Sequence, residues 1–148
     1  MKQSDGNFGD RPHHDIPSWV DPGAIFHIRI RCHKENAVPL TDSRLAKALL
    51  ESVRFYQAHQ VWHSTVFLLM PDHLHALLSF PRDKSMSRVI GEWKHFHAAK
   101  NGVRWQENYF DHRLRGGGQV EFKYHYILNN PVAKGLCTTP EDWPWKLF

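Results

Sequence analysis

The segment TVFLLMPDHLHALLSF, Thr65 to Phe80, decides the fold. Its apolar residues would suit one long buried strand, but Pro71-Asp72 stands in the middle, and a proline has no N–H to give to a sheet ladder. The segment therefore reads as two strands meeting at a tight turn. Upstream, Ala24 to Cys32 alternates, with Phe26, Ile28, Ile30 and Cys32 on one face and His27, Arg29 and Arg31 on the other. This predicts a half-buried strand with a basic outer face, on which His27 reads as a surface histidine. Between these strands, Thr41 or Asp42 caps a helix through Leu45, Leu49, Val53 and Tyr56, running to about His59.

Downstream, Ser85 or Ser87 starts a second helix through Val89, Ile90, Trp93 and Phe96, closed by Asn101-Gly102 as a left-handed cap, with Arg88, Lys94 and Lys100 on its exposed face. Trp105 to Arg115 reads as a short strand or extended loop, after which Gly116-Gly117-Gly118 breaks regular structure. A third helix fits Val120 to Asn129, stopped by Pro131, because the residue before a proline is pushed out of the helical region. This order of elements predicts an α+β sandwich, an antiparallel sheet with helices mainly on one face. With 148 residues there is room for one domain, taken as 13–148, behind a polar, unpatterned segment 1–12 expected to be flexible.

The formal charge of +4, with 12 histidines counted neutral, favours a polyanionic partner. Aromatic residues at 13% suffice for a core and for stacking on unpaired bases. Cys32 and Cys137 form no CxxC unit, which argues against a disulfide framework and a thiolate zinc site and fits a cytoplasmic protein. No stretch approaches the ~20 apolar residues of a membrane span, and the first residues hold no apolar core of a secretion signal.

Two segments carry candidate chemistry. In Met70-Pro71-Asp72-His73-Leu74-His75 the imidazoles lie two residues apart on a strand, so both point to one face and could ligate a divalent cation with positions left open for phosphate oxygens and water. Alone, that spacing favours two histidines hydrogen-bonded on a partly exposed strand. In Tyr124-His125-Tyr126-Ile127-Leu128-Asn129-Asn130-Pro131, Tyr126 and Asn130 are four apart and share a helix face. Asparagine offers a hard carbonyl oxygen and tyrosine an oxygen nucleophile. Taken alone, the segment reads rather as a helix with core tyrosines and a capping asparagine.

Together, MPDHLH and YILNNPVAKGL, with WQENYFDHRLR between them, resemble the single-tyrosine HUH transposases, specifically the REP-associated tyrosine transposase branch. RPHHDIPSWVDPGAIFHIRIR and EDWPWKLF extend the resemblance over Arg11 to Phe148. The resemblance implies a ferredoxin-like fold, paired metal ligands at His73 and His75, a third at Asn130, and Tyr126 as nucleophile. It also implies magnesium or manganese as cofactor and single-stranded DNA with palindromic hairpins as substrate, cut and rejoined through a 5′-phosphotyrosine, by a monomer or homodimer. Arg113, Arg115, Lys94, Arg29 and Arg31 are the candidate DNA contacts. Relatives carry acidic residues where this chain has Gly116-Gly117-Gly118, so the tyrosine helix is expected to start late, on a hinge. Two rivals stay open: a hairpin-binding protein that has lost catalysis, and a metal-dependent hydrolase using water in place of tyrosine.

Overall fold

The computed structural model describes residues 16–148; the expectation of a flexible segment 1–12 lies outside these residues. Thr65 to Phe80 lies in two antiparallel strands, β2 (His63–Leu69) and β3 (His73–Ser79), joined by a turn in which the Met70 N–H donates to the His73 carbonyl at 2.8 Å. Around this hairpin stand β1 (Phe26–Arg31), α1 (Ser43–Ala58), α2 (Met86–Asn101), β4 (Phe110–Arg113), α3 (Gly116–Ala133), a 3-10 turn (Pro140–Asp142) and a two-residue β5 (Lys146–Leu147). Among the described residues the sheet has five strands, antiparallel throughout, in the order β4, β1, β3, β2, β5.

Strand alternation divides the interior into two cores. Ile28 and Ile30 of β1, Phe67 and Leu69 of β2, and Leu74, Ala76 and Leu78 of β3 face α1 and α2. Val66, Leu68 and Leu77 face the other way and pack with Val120, Tyr124 and Ile127 of α3. Two helices thus cover one face and the third the opposite one. The basic face expected to be the outer face of β1 therefore lies partly under α3.

The first helix follows its sequence pattern, with the Asp42 carboxylate accepting from the Leu45 N–H at 3.0 Å. The second starts at a Ser85 cap and ends on Gly102 at φ +72. One position departs from expectation: Phe96 is 51% exposed, and His97, 1% exposed, takes its place in the interior. A polar ring is tolerated there because its nitrogens are bonded. Ser52 Oγ donates its one proton to the Leu49 carbonyl (2.6 Å) and accepts from Trp93 Nε1 (2.8 Å). His97 Nε2 therefore donates to that oxygen (2.8 Å), and Nδ1 accepts from Asn101 Nδ2 (2.8 Å). The network ties α1 to α2.

The third helix corrects both boundaries read from the sequence. The glycine triplet does not break the chain; α3 begins at Gly116. Gly116 has φ +77, a left-handed turn that only glycine enters at low cost, and it swings the chain from β4 into the helix. The Arg115 N–H is then satisfied by the Gln119 side-chain oxygen at 2.6 Å, while burial of Val120, Tyr124 and Ile127 outweighs the poor propensity of glycine. At the other end, Pro131 does not stop the helix, which continues to Ala133. So near the terminus proline removes a single intrahelical bond, and the last carbonyls are collected by a glycine turn. Leu136 N–H donates to Pro131 O (2.9 Å) and Gly135 N–H to Val132 O (2.9 Å), with Gly135 at φ +75.

Burial pushes the pKa of His97 down from 6.5 to about 4. Below pH 6.5 the unfolded chain takes up a proton there that the folded chain refuses until about pH 4. The contribution is thus fully present above pH 6.5 and lost as the pH falls through this window, by on the order of 3 kcal/mol. Urea midpoints measured from pH 7 to pH 4 should fall more steeply for the wild type than for His97→Gln; parallel curves would refute this account.

Candidate active site

Strand β3 carries the two imidazoles of the His-x-His pair to the α3 side of the sheet, opposite Leu74 and Ala76. They lie with ring centroids 4.9 Å apart, at 85° to each other, 6% exposed for His73 and 3% for His75. The turn before them is held from outside: Cys32 N–H donates to Asp72 O and Leu40 N–H to Pro71 O, both at 2.9 Å. Each ring is also held at one nitrogen. Nδ1 of His73 is 2.7 Å from Asp72 Oδ1, and Nδ1 of His75 is 3.0 Å from Nε2 of His27. Among the described residues, Nε2 of neither has a hydrogen-bond partner.

His27 itself corrects the sequence reading. It is not a surface histidine but 4% exposed, stacked on His75 at an interplanar angle of 19° and edge-on to Phe110. Burial is the largest cause that pushes His75 down to about 3 and His27 to about 4, and it also lowers His73, against the Asp72 hydrogen bond that raises it. All three are therefore neutral at pH 7, the state in which an imidazole can ligate a metal.

Helix α3 supplies the remaining groups along one stripe. At ~100° per residue, Lys123, Tyr126, Asn130 and Lys134 fall within about 80° of one another. The stripe runs along the histidines. The positive charge of Lys123 acts on His27, the Tyr126 ring stands edge-on to His75 at 6.2 Å, and the charge of Lys134 acts on His73. Asn130, between the last two, is 7% exposed, and its Oδ1 is buried without a hydrogen-bond partner among the described residues. Tyr126 is 46% exposed, whereas Tyr124 is 4% exposed and packs in the second core.

Among the described residues, no three His, Cys, Asp or Glu side chains close into a metal-holding group. A cation on His73 and His75 would need another kind of protein donor, and the orphaned oxygen of Asn130 has that chemistry. Two Nε2 atoms and one carbonyl oxygen, all unpaired among the described residues, fit a hard or borderline divalent ion.

The basic candidates separate. Arg31 is exposed beside Asp72 and His73, and its charge acts on both. Arg29 is half-buried, its guanidinium 4.8 Å from the centre of the Phe110 ring. Arg113 and Arg115 are exposed at the end of β4 and the start of α3. Lys94 lies on α2, across the sheet from these groups, and its ammonium donates to the Gln106 and Glu107 carbonyls, so it braces a loop. Four residues escaped the sequence reading: Asp72 as partner of His73, His27 as partner of His75, and Lys123 and Lys134. The lysines could have been found from their helical spacing to Tyr126 and Asn130. His27 could not, since alternation puts it on the face that α3 covers only in the folded chain.

No family model matches the chain. A solved structure of a REP-associated tyrosine transposase bound to a REP hairpin superposes with a TM-score of 0.74 at 20% identity, over 90% of this chain and 82% of that one. The fold is that of the REP-associated tyrosine transposase. A curated Haemophilus influenzae protein with the provisional name REP-associated tyrosine transposase is 24% identical over 61% of this chain. The match spans 61% of that relative's own length. The resemblance to this branch read from the motifs is thus borne out by sequence and by structure. No helix among the described residues is long and apolar enough to cross a membrane.

A buried oxygen without a partner destabilises a fold by roughly 1–3 kcal/mol. Asn130→Leu, similar in volume, is therefore expected to raise the melting temperature in EDTA and to abolish any rise that manganese gives the wild type. Equal melting temperatures in EDTA, with the manganese effect retained, would remove Asn130 from the site.

Proposed function

We propose that this chain is a metal-dependent single-strand DNA endonuclease and strand transferase that acts at palindromic hairpins with Tyr126 as its nucleophile. One observation carries the reading: an exposed tyrosine stands edge-on to a buried histidine, one helical turn before an asparagine whose buried side-chain oxygen has no hydrogen-bond partner among the described residues. A fold held in place solely by packing has no use for that combination. His73, His75 and Asn130 would hold the ion, magnesium or manganese, which supplies charge neutralisation at the scissile phosphate and stabilises the charge of the transition state.

The chain's own groups do the rest. Tyr126, on the rim of the site, offers its hydroxyl oxygen to the phosphorus. The new bond joins that oxygen to the 5′ phosphate, the bond to the 3′ oxygen breaks, and the departing 3′ oxygen ends as a hydroxyl with the proton that tyrosine gives up. Lys123, its ammonium 4.9 Å from the centre of the Tyr126 ring, offers an approaching phosphate a cation. Because the phosphotyrosine linkage conserves the energy of the broken bond, a 3′ hydroxyl from another strand reverses the step and rejoins DNA without ATP.

The name of the structural relative says that it holds a REP hairpin, and the charge here suits such a ligand. Arg31, Arg113, Arg115, Lys123 and Lys134 set positive charge around the α3 side of the sheet, with exposed Phe110 and Phe122 available for stacking.

Tyr126→Phe should abolish both cleavage of a labelled hairpin strand and the denaturation-resistant protein–DNA band, with hairpin binding kept, since it removes one oxygen and little volume. Tyr124→Phe should retain both. Hairpin binding without any adduct in the wild type would favour a protein that has lost catalysis, and cleavage without adduct a hydrolase using water. Binding should also weaken with salt, and Arg115→Ala should reduce the log–log slope by about one. An unchanged slope would take Arg115 off the phosphate path.

A further inference from the structure

The proposed chemistry leaves His27 without a task, although its position is costly. A polar ring buried in mid-strand is destabilising unless its nitrogens are bonded. Its partner is a prospective metal ligand: Nε2 of His27 lies 3.0 Å from Nδ1 of His75. The near-parallel rings, at 19°, and the edge-on Phe110 at 5.6 Å leave little freedom to rotate away.

Two neutral imidazoles that meet through those nitrogens share one proton, so one donates and the other accepts. Were His27 the donor, His75 would accept at Nδ1 and carry its own proton on Nε2. The lone pair needed by a metal would then be gone. Ligation through Nε2 requires the opposite arrangement, with the Nδ1–H of His75 donating to Nε2 of His27 and His27 protonated at Nδ1. For His73 the question does not arise, because the ionised Asp72 carboxylate can only accept.

We infer that His27 is a positioning residue that fixes the ligating tautomer and the ring orientation of His75, as the Asp72 carboxylate does for His73. The inference rests on the reading of His73, His75 and Asn130 as metal ligands. It makes the two histidines unequal: His73 is oriented by the Asp72 carboxylate and His75 by a neutral ring, so the one negative charge in hydrogen-bond contact with the pair lies on the His73 side.

The test compares acceptor chemistry at position 27. Binding of Mn2+ followed by electron paramagnetic resonance should weaken about 10–100-fold in His27→Leu, which has no acceptor. Most of that loss should be recovered in His27→Gln, whose carbonyl oxygen can accept. In the zinc-loaded, nitrogen-15-labelled wild type, His75 should be protonated at Nδ1, with a nitrogen–nitrogen coupling across the hydrogen bond to His27. That measurement needs no substitution, so it decides the matter even if His27→Leu fails to fold. Wild-type Mn2+ affinity in His27→Leu, with affinity lost in His73→Ala, overturns the role of His27 and leaves the metal site standing. A His75 proton found on Nε2 also overturns that role. Unchanged affinity in both variants overturns the metal-site reading and this inference with it.

Discussion

Strand β3 is covered on both faces, and its alternation has to satisfy two cores at once. Leu74, Ala76 and Leu78 fill the core under α1 and α2, while His73, His75 and Leu77 face α3. Sheet periodicity is two, so a slip of one residue would drive both imidazoles into an apolar layer without partners and turn leucines toward the site. The register is pinned on each side. Arg29 pairs with His75 and Arg31 with His73 across to β1, while Leu68 pairs with His75 across to β2. The end of β2 is fixed in turn by the closing segment, where Trp143 Nε1 donates to the Leu69 carbonyl and the Leu69 N–H donates to the Trp145 carbonyl, both at 2.9 Å.

Burying polar groups in such a strand is unfavourable, and the molecule offsets it group by group. His73 has Asp72, His75 has His27, and His97 on the other side of the sheet has Ser52 and Asn101. The Asn130 oxygen is left out of this pattern. Structural histidines and site histidines therefore look alike in burial and depressed basicity, and the difference lies in which nitrogens are spent. Among the described residues, His97 uses both, whereas His73 and His75 each use one.

What was legible in the sequence follows from the range of the forces involved. Strand β1, helix α1, the β2–β3 hairpin and helix α2 are written in short-range periodicity and capping residues, and they appear where the pattern puts them. The pairing of Tyr126 with Asn130 was legible for the same reason, being a matter of helical spacing. The ends of α3 were not, because local rules about glycine and proline gave way to burial of one helix face and to a turn completed at Gly135 and Leu136. Likewise β5 is too short to show a period, and the exchange of Phe96 for His97 depends on Ser52, 45 residues away in sequence. The roles of Asp72 and His27 are contacts across space, invisible to any window along the chain.

Helix α3 is built unevenly along its length. Its far end is locked by the buried Pro131 and the glycine turn, while its near end carries Gly117 and Gly118, where an added methyl group would meet nothing within 4 Å. Alanine would fit at either position and add roughly 1 kcal/mol of helix propensity, so packing does not explain the glycines. In the language of amide exchange, the helix is a gradient. Amides near Gly116, ahead of the first buried position at Val120, are expected to exchange by local fraying, and those from Tyr124 onward along with the core. Tyr126 thus stands on the held part of the helix, between buried Tyr124 and Ile127 and one turn before Asn130, while the glycine stretch ahead of it carries the give.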